Sequence, residues 1–298
     1  MKPRPMPAAE VSVSPELVRR LLAVQHPEFA QLPVEVLANG WDNLSCRLGD
    51  ALLVRLPRRA VAARLLANEQ RWLPVLAPAL PLPVPAPVRT GRGALGYPWS
   101  WSIVPYLPGD VAACEPPADL AAAAASLGGF LGALHVPARA EAPVNPVRGV
   151  PLAARADAVA ENLDLLGTSI DRAAVRRRWD AALATPAWGG PAVWLHGDLH
   201  PANILVDHGR ISAVIDFGDI TAGDPAGDLS AAWMLLPARH HRRFQDAYLA
   251  ASEHGDDEAL WARARGWALV LSLAFLAHSA DNPLMAGIGR RTLDAVLA

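Results

Sequence analysis

One stretch of the sequence, residues 194–229, restricts the possible folds more than any other: WLHGDLHPANILVDHGRISAVIDFGDITAGDPAGDL. Within it, the short apolar runs Ile204–Val206 and Ile211–Ile215 flank the turn sequence DHG at 207–209. Two such runs around a turn that contains glycine predict a β-hairpin. A polar loop precedes the first strand, and Asp216 directly follows the second. The hairpin therefore brings the end of the loop close to Asp216.

Three oxygen-bearing side chains lie on this predicted scaffold: Asp198, Asn203 and Asp216. Asp198 and Asn203 are separated by four residues, so one loop can turn the carboxylate to a substrate hydroxyl and the amide oxygen to a cation. Carboxylate and amide oxygens suit a hard ion such as Mg²⁺. Phosphoryl transfer requires mainly an oriented nucleophile and neutralised phosphate charge. We therefore predict that Asp198 is the base, that Asn203 and Asp216 bind magnesium, and that ATP or GTP is the phosphate donor.

The order of these residues is the signature of kinase catalytic loops, D-x-x-x-x-N followed by D-F-G. It occurs here as Asp198 and Asn203, followed by Asp216-Phe217-Gly218. The segments HGDLHPANIL and IDFGD resemble the aminoglycoside phosphotransferase family, a branch of the kinase-like fold, and GDPAGDLSAAW resembles its continuation. The resemblance implies the same roles for Asp198, Asn203 and Asp216, and it implies that His196 is a structural histidine that fixes the loop.

Patterning along the rest of the chain predicts a strand-rich first third and a mostly helical remainder. The predicted strands cover 34–38, 44–48, 51–56, 84–89 and 100–106. The predicted helices cover 14–26, 61–73, 119–135, 151–166, 171–184, 226–236, 239–253, 256–280 and 286–297. We therefore expect a two-lobed α+β, protein-kinase-like fold. Its small antiparallel-sheet lobe, 1–106, would bind nucleotide, and its mainly helical lobe, 107–298, would carry catalysis and acceptor binding.

A kinase-like first lobe needs a strand-borne cation on the phosphates, held by a helix carboxylate. The family usually has lysine there, but the only lysine in this sequence is Lys2. The matching position in ALLVRLPRR is Arg55, and Glu69 lies on the helix that follows. Arginine keeps the charge and can bind phosphate with two hydrogen bonds. The alternative is an ordinary surface pair of Arg55 and Glu69.

Two further segments are candidates for nucleotide contacts. The loop from Asn39 to Ser45 holds a single glycine, and Asn43 and Ser45 are possible phosphate donors, although a plain hairpin fits equally well. The connector 102–109 resembles the hinge that meets the adenine edge. Because proline at position 105 has no N–H, Tyr106 or Leu107 would have to donate to the base.

The acceptor is less constrained by the sequence. Asp224 and Asp228 follow the magnesium segment and could face a cationic substrate, as could Trp233, although a helix-capping Asp228 and a core Trp233 are the plainer interpretations. Residues 190–298 have a formal net charge of −5, whereas residues 1–189 have a formal net charge of +3. This acidity favours a polycationic acceptor, and the resemblance favours an antibiotic such as an aminoglycoside. Macrolides, peptide antibiotics and metabolites of the choline, homoserine, fructosamine or sugar type stay open.

Two other functions compete with a kinase. His196, Asp198 and His200 could begin a zinc site of a metallohydrolase, but that leaves Asn203 and the D-F-G triplet unexplained. The missing strand lysine and the single-glycine loop also fit a nucleotide-binding pseudoenzyme. The three catalytic-type side chains argue against that alternative.

Overall composition excludes some partners. The net charge of −2 argues against binding to nucleic acid or an anionic membrane. The two cysteines, Cys46 and Cys114, lack metal-type spacing, and the N-terminus lacks a long apolar core typical of a signal peptide. We expect a cytoplasmic monomer or homodimer that binds a nucleoside triphosphate and a small acceptor.

Overall fold

The computed structural model of the protein describes residues 9–39 and 43–298. Its helices are α1 Pro15–Gln25, α2 Ala60–Leu76, α3 Leu120–Leu134, α4 Ala156–Leu166, α5 Arg172–Leu183, α6 Ala226–Leu229, α7 Ala231–Leu235, α8 His241–Ala251, α9 Glu258–His278 and α10 Pro283–Leu297. Its strands are β1 Val34–Asn39, β2 Asn43–Leu48, β3 Leu52–Pro57, β4 Arg89–Gly91, β5 Trp101–Pro105, β6 Asp110–Val111, β7 Val193–Leu195, β8 Ile204–Asp207, β9 Arg210–Val214 and β10 Thr221–Gly223.

The first five strands form one antiparallel sheet in the order β1-β2-β3-β5-β4. Along β2, buried and partly exposed residues alternate, as expected for a strand with one face on a core. α1 begins where the Ser14 hydroxyl accepts the Leu17 N–H, and it buries Val18, Leu21 and Leu22. These side chains share a core with the sheet residues Leu48 and others of β2, β3 and β5. We call β1–β5 with α1 and α2 the sheet region.

α2 connects this sheet to the rest of the protein. Its buried Glu69 faces β3, whereas Trp72, Leu73 and Leu76 near its end belong to the large core of the remaining chain. The two buried clusters therefore meet along one helix. The predicted division of the chain at residue 106 stays a prediction, because shared packing does not define domains.

The chain from β6 onward, which we call the helical region, contains two small antiparallel sheets. One joins β7 to β10, and the other has the order β6-β8-β9. Four of its helices begin after a carboxylate or amide side chain that accepts a backbone N–H: α3 after Asp119, α5 after Asp171, α9 after Asp257 and α10 after Asn282. These caps explain why the helices start at these positions.

α9 is the central helix of this region and packs against α4, α5, α6 and α10. It is apolar on most sides and largely buried, which is typical of a core helix. By length and hydropathy alone, it is the one helix of the described residues that could cross a membrane. α3 packs closely on α8, because Gly128 and Gly132 leave room for the α8 backbone near Tyr248.

Most of the predicted elements are confirmed, with two exceptions. The strand expected at 84–89 is wrong: prolines at 83, 85 and 87 lack an N–H, and the sheet strand β4 forms at 89–91 instead. The helix expected over 226–236 is interrupted at Ser230 and forms the two short helices α6 and α7. The hairpin expected from the turn DHG is present as β8 and β9.

Candidate active site

A buried carboxylate fixes the start of the loop between β7 and β8, residues 196–203. Asp228 of α6 accepts the N–H groups of His196 at 2.6 Å and Gly197 at 2.9 Å, and it lies 3.3 Å from Nε2 of His135. Burial alone would raise the pKa of Asp228, but the His135 hydrogen bond and the nearby His196 lower it. Gly197 has a φ of +87°, and a Cβ there would collide with the Asp219 carbonyl. The loop conformation therefore depends on this glycine.

His196 connects the loop to the strand that leads to Asp216. Its Nδ1 accepts the Asp198 N–H at 3.2 Å, so its Nε2 carries the proton and donates to the Ile215 carbonyl at 2.9 Å. Its ring also packs on Phe217, with the ring centroids 4.5 Å apart. The predicted structural role of His196 agrees with these contacts.

The Asp198 carboxylate contacts two cationic or donor groups. Arg148 donates from Nη2 to Oδ1 at 2.5 Å, and Nε2 of His200 lies 3.4 Å from Oδ2. Nδ1 of His200 accepts the Ala202 N–H, which leaves the proton on Nε2 to point at Asp198. Burial alone would raise the pKa of Asp198, but Arg148 and His200 lower it far below its usual range. Asp198 is therefore ionised at neutral pH.

Asn203 faces the same loop from its other end. Its Nδ2 donates to the Asp198 carbonyl at 2.9 Å, so its Oδ1 is left as the free oxygen of the amide. Its own carbonyl accepts the Ile215 N–H at 2.9 Å, which ties Asn203 to the residue directly before Asp216. The hairpin thus brings the two predicted magnesium ligands together, as the sequence analysis expected.

Asp216 has a left-handed backbone, with φ of 64°. Aspartate tolerates this conformation better than most residues, and here it turns the chain from β9 into the short 3₁₀ turn Phe217–Asp219. The Asp216 side chain is more than half exposed, whereas Asn203 is buried. One amide oxygen and one exposed carboxylate, with room for phosphate and water oxygens, fit the ligand preference of Mg²⁺.

Arg55 of β3 reaches this group from the sheet region. Its guanidinium contacts Glu69 of α2 at 2.5 Å and lies 3.8 Å from Oδ1 of Asp216. Burial would lower the pKa of Arg55, but Glu69 and Asp216 raise it, so the guanidinium stays charged. The pair is buried, which contradicts the alternative of a surface ion pair. Arg55 thus occupies the position that the sequence analysis assigned to the strand cation.

A cleft of about 380 Å³ opens between β3, β5 and the β8–β9 hairpin. Its lining residues include Ser45, Leu53, Arg55, Val104, Leu107, Leu205, Ile215 and Asp216. Ser45 lies opposite Arg55 across the strand pair, as a phosphate-side donor would. Asn43 does not line the cleft, so its predicted phosphate contact is not supported. Gly40, Trp41 and Asp42 of the predicted loop lie outside the described residues.

One backbone hydrogen bond decides which N–H of the connector 102–109 could donate to the adenine edge. The Tyr106 N–H donates to the Ala51 carbonyl at 2.8 Å, so Tyr106 lines the cleft but its N–H is not free to donate to the adenine edge. The Leu107 N–H has no acceptor among residues 9–39 and 43–298, and Leu107 lines the cleft. Of the two candidates, Leu107 is therefore the one free to donate.

Arg148 contacts Asp198 but was not predicted as a site residue. It lies on the segment before α4, fifty residues ahead of Asp198, and no local pattern marks it. The structure fixes this segment through Asn145, whose Nδ2 donates to Asp219 at 2.7 Å while its Oδ1 accepts the N–H groups of Val147 and Arg148. Asn145 thereby positions the backbone from which Arg148 reaches Asp198.

The three predicted acceptor contacts are not supported. Asp224 is buried and paired with Arg263 at 2.8 Å, and the Asp228 carboxylate accepts backbone N–H groups of the loop 196–203. The predicted capping role of Asp228 is also wrong, because its carboxylate accepts the His196 and Gly197 N–H groups and caps neither α6 nor α7. Trp233 packs on His241 and lines a separate cavity. Each of these three side chains contacts other residues of the protein, and no sequence pattern predicts those contacts.

The zinc alternative finds no structural basis. Within the described part of the chain, no group of three or more His, Cys, Asp or Glu side chains is placed to hold a metal ion. Both ring nitrogens of His196 and of His200 already have partners, which are Asp198 and Ile215 for His196, and Ala202 and Asp198 for His200. These contacts contradict a metallohydrolase site built on His196, Asp198 and His200.

A sequence model of a known family matches most of the chain. The family is described as the phosphotransferase enzyme family, and the match covers residues 33–267. A sequence relative, described as uncharacterized protein YcbJ from Bacillus subtilis (strain 168), is 35% identical over 95 residues. That match covers 31% of this chain and 30% of the relative, so it spans under a third of the relative's length.

Solved structures extend the similarity to nearly the whole chain. The GDP complex of aminoglycoside 2'-phosphotransferase-IIIa matches with a TM-score of 0.68 and 18% identity, covering 95% of this chain and 99% of that one. A macrolide 2'-phosphotransferase from Brachybacterium faecium matches with a TM-score of 0.61 and 25% identity, covering 95% and 97%. The first of these matches carries the fold alone, because its identity is low.

Proposed function

The chain belongs to the phosphotransferase enzyme family, and on that premise we propose that it transfers the γ-phosphate of ATP or GTP to a hydroxyl of a small molecule in a magnesium-dependent reaction. Membership confirms the resemblance predicted from HGDLHPANIL and IDFGD, and the structural matches confirm the kinase-like fold. Membership of a phosphotransferase enzyme family supports the predicted small-molecule kinase activity. The acceptor, the metal and the roles of individual residues are parts of the proposal.

One observation carries the proposal: one loop and hairpin hold the Asp198 carboxylate, the Asn203 amide and Asp216. Asp216 also lines the cleft, where Arg55 of the sheet region lies 3.8 Å from its carboxylate. In-line phosphoryl transfer needs this arrangement of an acceptor-orienting carboxylate, oxygen ligands and a cation. When bound, Mg²⁺ would neutralise charge on the β- and γ-phosphates. Asn203 and Asp216 would hold it.

The electrostatics of Asp198 define its role. A carboxylate with a lowered pKa is a weak base, so it cannot remove a hydroxyl proton early in the reaction. In a loose phosphoryl-transfer transition state, little proton removal is needed before the phosphate has moved. Asp198 would accept a hydrogen bond from the acceptor hydroxyl, orient its oxygen and receive the proton late. Arg148 would stabilise the carboxylate that performs this step.

The surroundings of Asp198 bear on the acceptor class. The carboxylates that would have bound a polycationic aminoglycoside, Asp224 and Asp228, are occupied internally, and a guanidinium lies on Asp198 itself. Beside the loop, the ring of Phe275 contacts His200, and the partly exposed side chains of Ala113, Ala202 and Met285 share its apolar cluster. This surface favours an amphipathic antibiotic of the macrolide type over an aminoglycoside.

A panel assay tests the function and the acceptor together. Purified protein with magnesium and ATP, or GTP, would be incubated with macrolides, aminoglycosides and small metabolite alcohols, and the acceptors would be examined by mass spectrometry. We expect a mass gain of one phosphate on a macrolide, formed about a thousandfold more slowly with an Asp198→Asn variant. Phosphorylation of aminoglycosides alone would overturn the acceptor assignment. Absence of transfer to every acceptor, with intact nucleotide binding, would favour the pseudoenzyme alternative.

A further inference from the structure

A second cavity, of about 330 Å³, lies in the helical region between α5, α7, α9 and α10. Its walls include two arginines and two tryptophans: Arg178, Arg265, Trp233 and Trp261. Small side chains and a glycine of α5 and α9 leave the space between them open. Its size is within the range typical of small-molecule sites.

The cavity is separate from the candidate active site. Phe275, which contacts His200, lies ten residues after Arg265 on α9, so at the rise of an α-helix the two positions are roughly 15 Å apart. On α7, Trp233 lines the cavity, whereas its neighbour Met234 packs in the apolar cluster beside Ala202 of the loop 196–203. The cavity and this loop therefore lie on different sides of α7.

No carboxylate of residues 9–39 and 43–298 forms an ion pair with the two arginines of the cavity. Arg178 forms no ion pair or side-chain hydrogen bond with any residue that the structure describes. Arg265 donates from Nε and Nη2 to the Val296 carbonyl, which fixes its guanidinium and leaves Nη1 unused. Burial lowers the pKa of Arg265, and Arg178 lowers it further. Two guanidinium groups thus share a half-buried space without a carboxylate partner among the described residues.

The tryptophans are fixed by contacts outside the cavity. The Trp233 ring packs on His241 with centroids 4.9 Å apart. The Trp261 ring packs on Tyr248, and its Nε1 donates to Asp256 at 3.2 Å. Both rings are therefore held in place before any ligand arrives, which lowers the entropy cost of binding.

From these observations we propose that the cavity is a binding site for a small aromatic anion, a flat ring with one carboxylate, sulfonate or phosphate group. The ring would pack between Trp233 and Trp261, and the anion would accept hydrogen bonds from Arg178 and the unused Nη1 of Arg265. Guanidinium groups match the geometry of such anions. An anion placed there would also relieve the repulsion between the two arginines.

Isothermal titration calorimetry with 1-naphthalenesulfonate tests this site. The titration is performed on the full chain with saturating magnesium and ADP, so that the nucleotide cleft is occupied. We expect saturable binding of one molecule per chain, and binding at least tenfold weaker for neutral 1-naphthol. Arg178→Gln should weaken sulfonate binding by about tenfold, the usual effect of losing one charged hydrogen bond. Arg176→Gln, an exposed position on the same helix, is the matched control and should bind like the wild type.

Three outcomes would overturn the proposal: no saturation up to millimolar sulfonate, equal binding of naphthol and sulfonate, or equal weakening by Arg178→Gln and Arg176→Gln. Arg178→Glu provides a second variant and should abolish binding. Thermal unfolding of all three variants establishes that the fold is retained, which we expect because Arg178 has no structural partner. The calorimetric binding and the thermal unfolding are both measured without phosphotransferase activity.

Discussion

The sheet region and the helical region hold their functional side chains in different ways. In the helical region, Asp198 and Asn203 lie on a loop whose backbone is fixed by Asp228, His196 and His200. In the sheet region, a single buried pair, Arg55 with Glu69, stands at the wall of a mainly apolar cleft. The difference follows from the tasks: orienting a hydroxyl requires a rigid carboxylate, whereas holding a nucleotide requires a shaped cleft and one cation.

The largest effect should come from the carboxylate in the rigid loop. Asp198→Asn keeps the shape but removes the base, so we expect turnover to fall by about a thousandfold. Nucleotide affinity should stay within about threefold of wild type, since Asp198 does not line the cleft. Steady-state ADP release and calorimetry measure the two quantities. Asp207→Asn, on the nearby hairpin, is the control, and a variant at position 198 with wild-type turnover would remove the proposed base.

A smaller loss is expected where the two regions meet. Asp216→Ala should abolish the gain in nucleotide affinity that magnesium provides, a change of about ten- to hundredfold. Asp216→Asn should lose less, because an amide oxygen still binds the ion and asparagine tolerates the left-handed backbone. Calorimetry with ADP, with and without magnesium, measures the difference. If magnesium still tightens binding to the alanine variant, Asp216 is not a ligand.

Asp228, which fixes the backbone of the rigid loop, is expected to contribute to the free energy of unfolding. Asp228→Asn should lower the free energy of unfolding by about 2–4 kcal/mol, because it removes a buried charge that accepts two backbone N–H groups. The folded-state pKa of Asp228 is lowered, so its stabilisation is present above about pH 4 and disappears as the pH falls through the folded pKa. The difference between wild type and variant should therefore shrink below about pH 4.

Denaturant unfolding at several pH values measures this difference. Asp246→Asn, which breaks an exposed pair with Arg242 on α8, is the control and should change stability by less than about 0.5 kcal/mol. Equal losses in the two variants would show that Asp228 is not the support that the contacts indicate.

The smallest expected effect is in the sheet region. Arg55→Lys keeps one cation for Glu69 but loses the reach to Asp216, so the KM for nucleotide should rise about threefold, against about tenfold or more for Arg55→Gln. Arg64→Gln, exposed on α2, is the control. An unchanged KM in Arg55→Gln would mean that the sheet region contributes only the shape of the cleft, and no cation, to nucleotide binding.

The parts of the site that sequence reasoning placed well are close together in the chain. Asp198, Asn203 and Asp216 are joined by a loop and a tight hairpin, and local hydrogen bonding determines their arrangement. Arg55 and Glu69 follow from one strand and the next helix. In contrast, the strand expected at 84–89 was misplaced because its prolines cannot take part in a sheet ladder.

The sequence by itself determined the identity and order of the groups around Asp198, because short-range turns and strand pairing bring near neighbours together. Only the tertiary structure decided that Arg148 lies on Asp198, that Asp224 pairs with Arg263, and that the Tyr106 N–H is already occupied. These partners are separated by about forty residues or more. Their meeting depends on how helices and sheets pack, which local patterns do not specify.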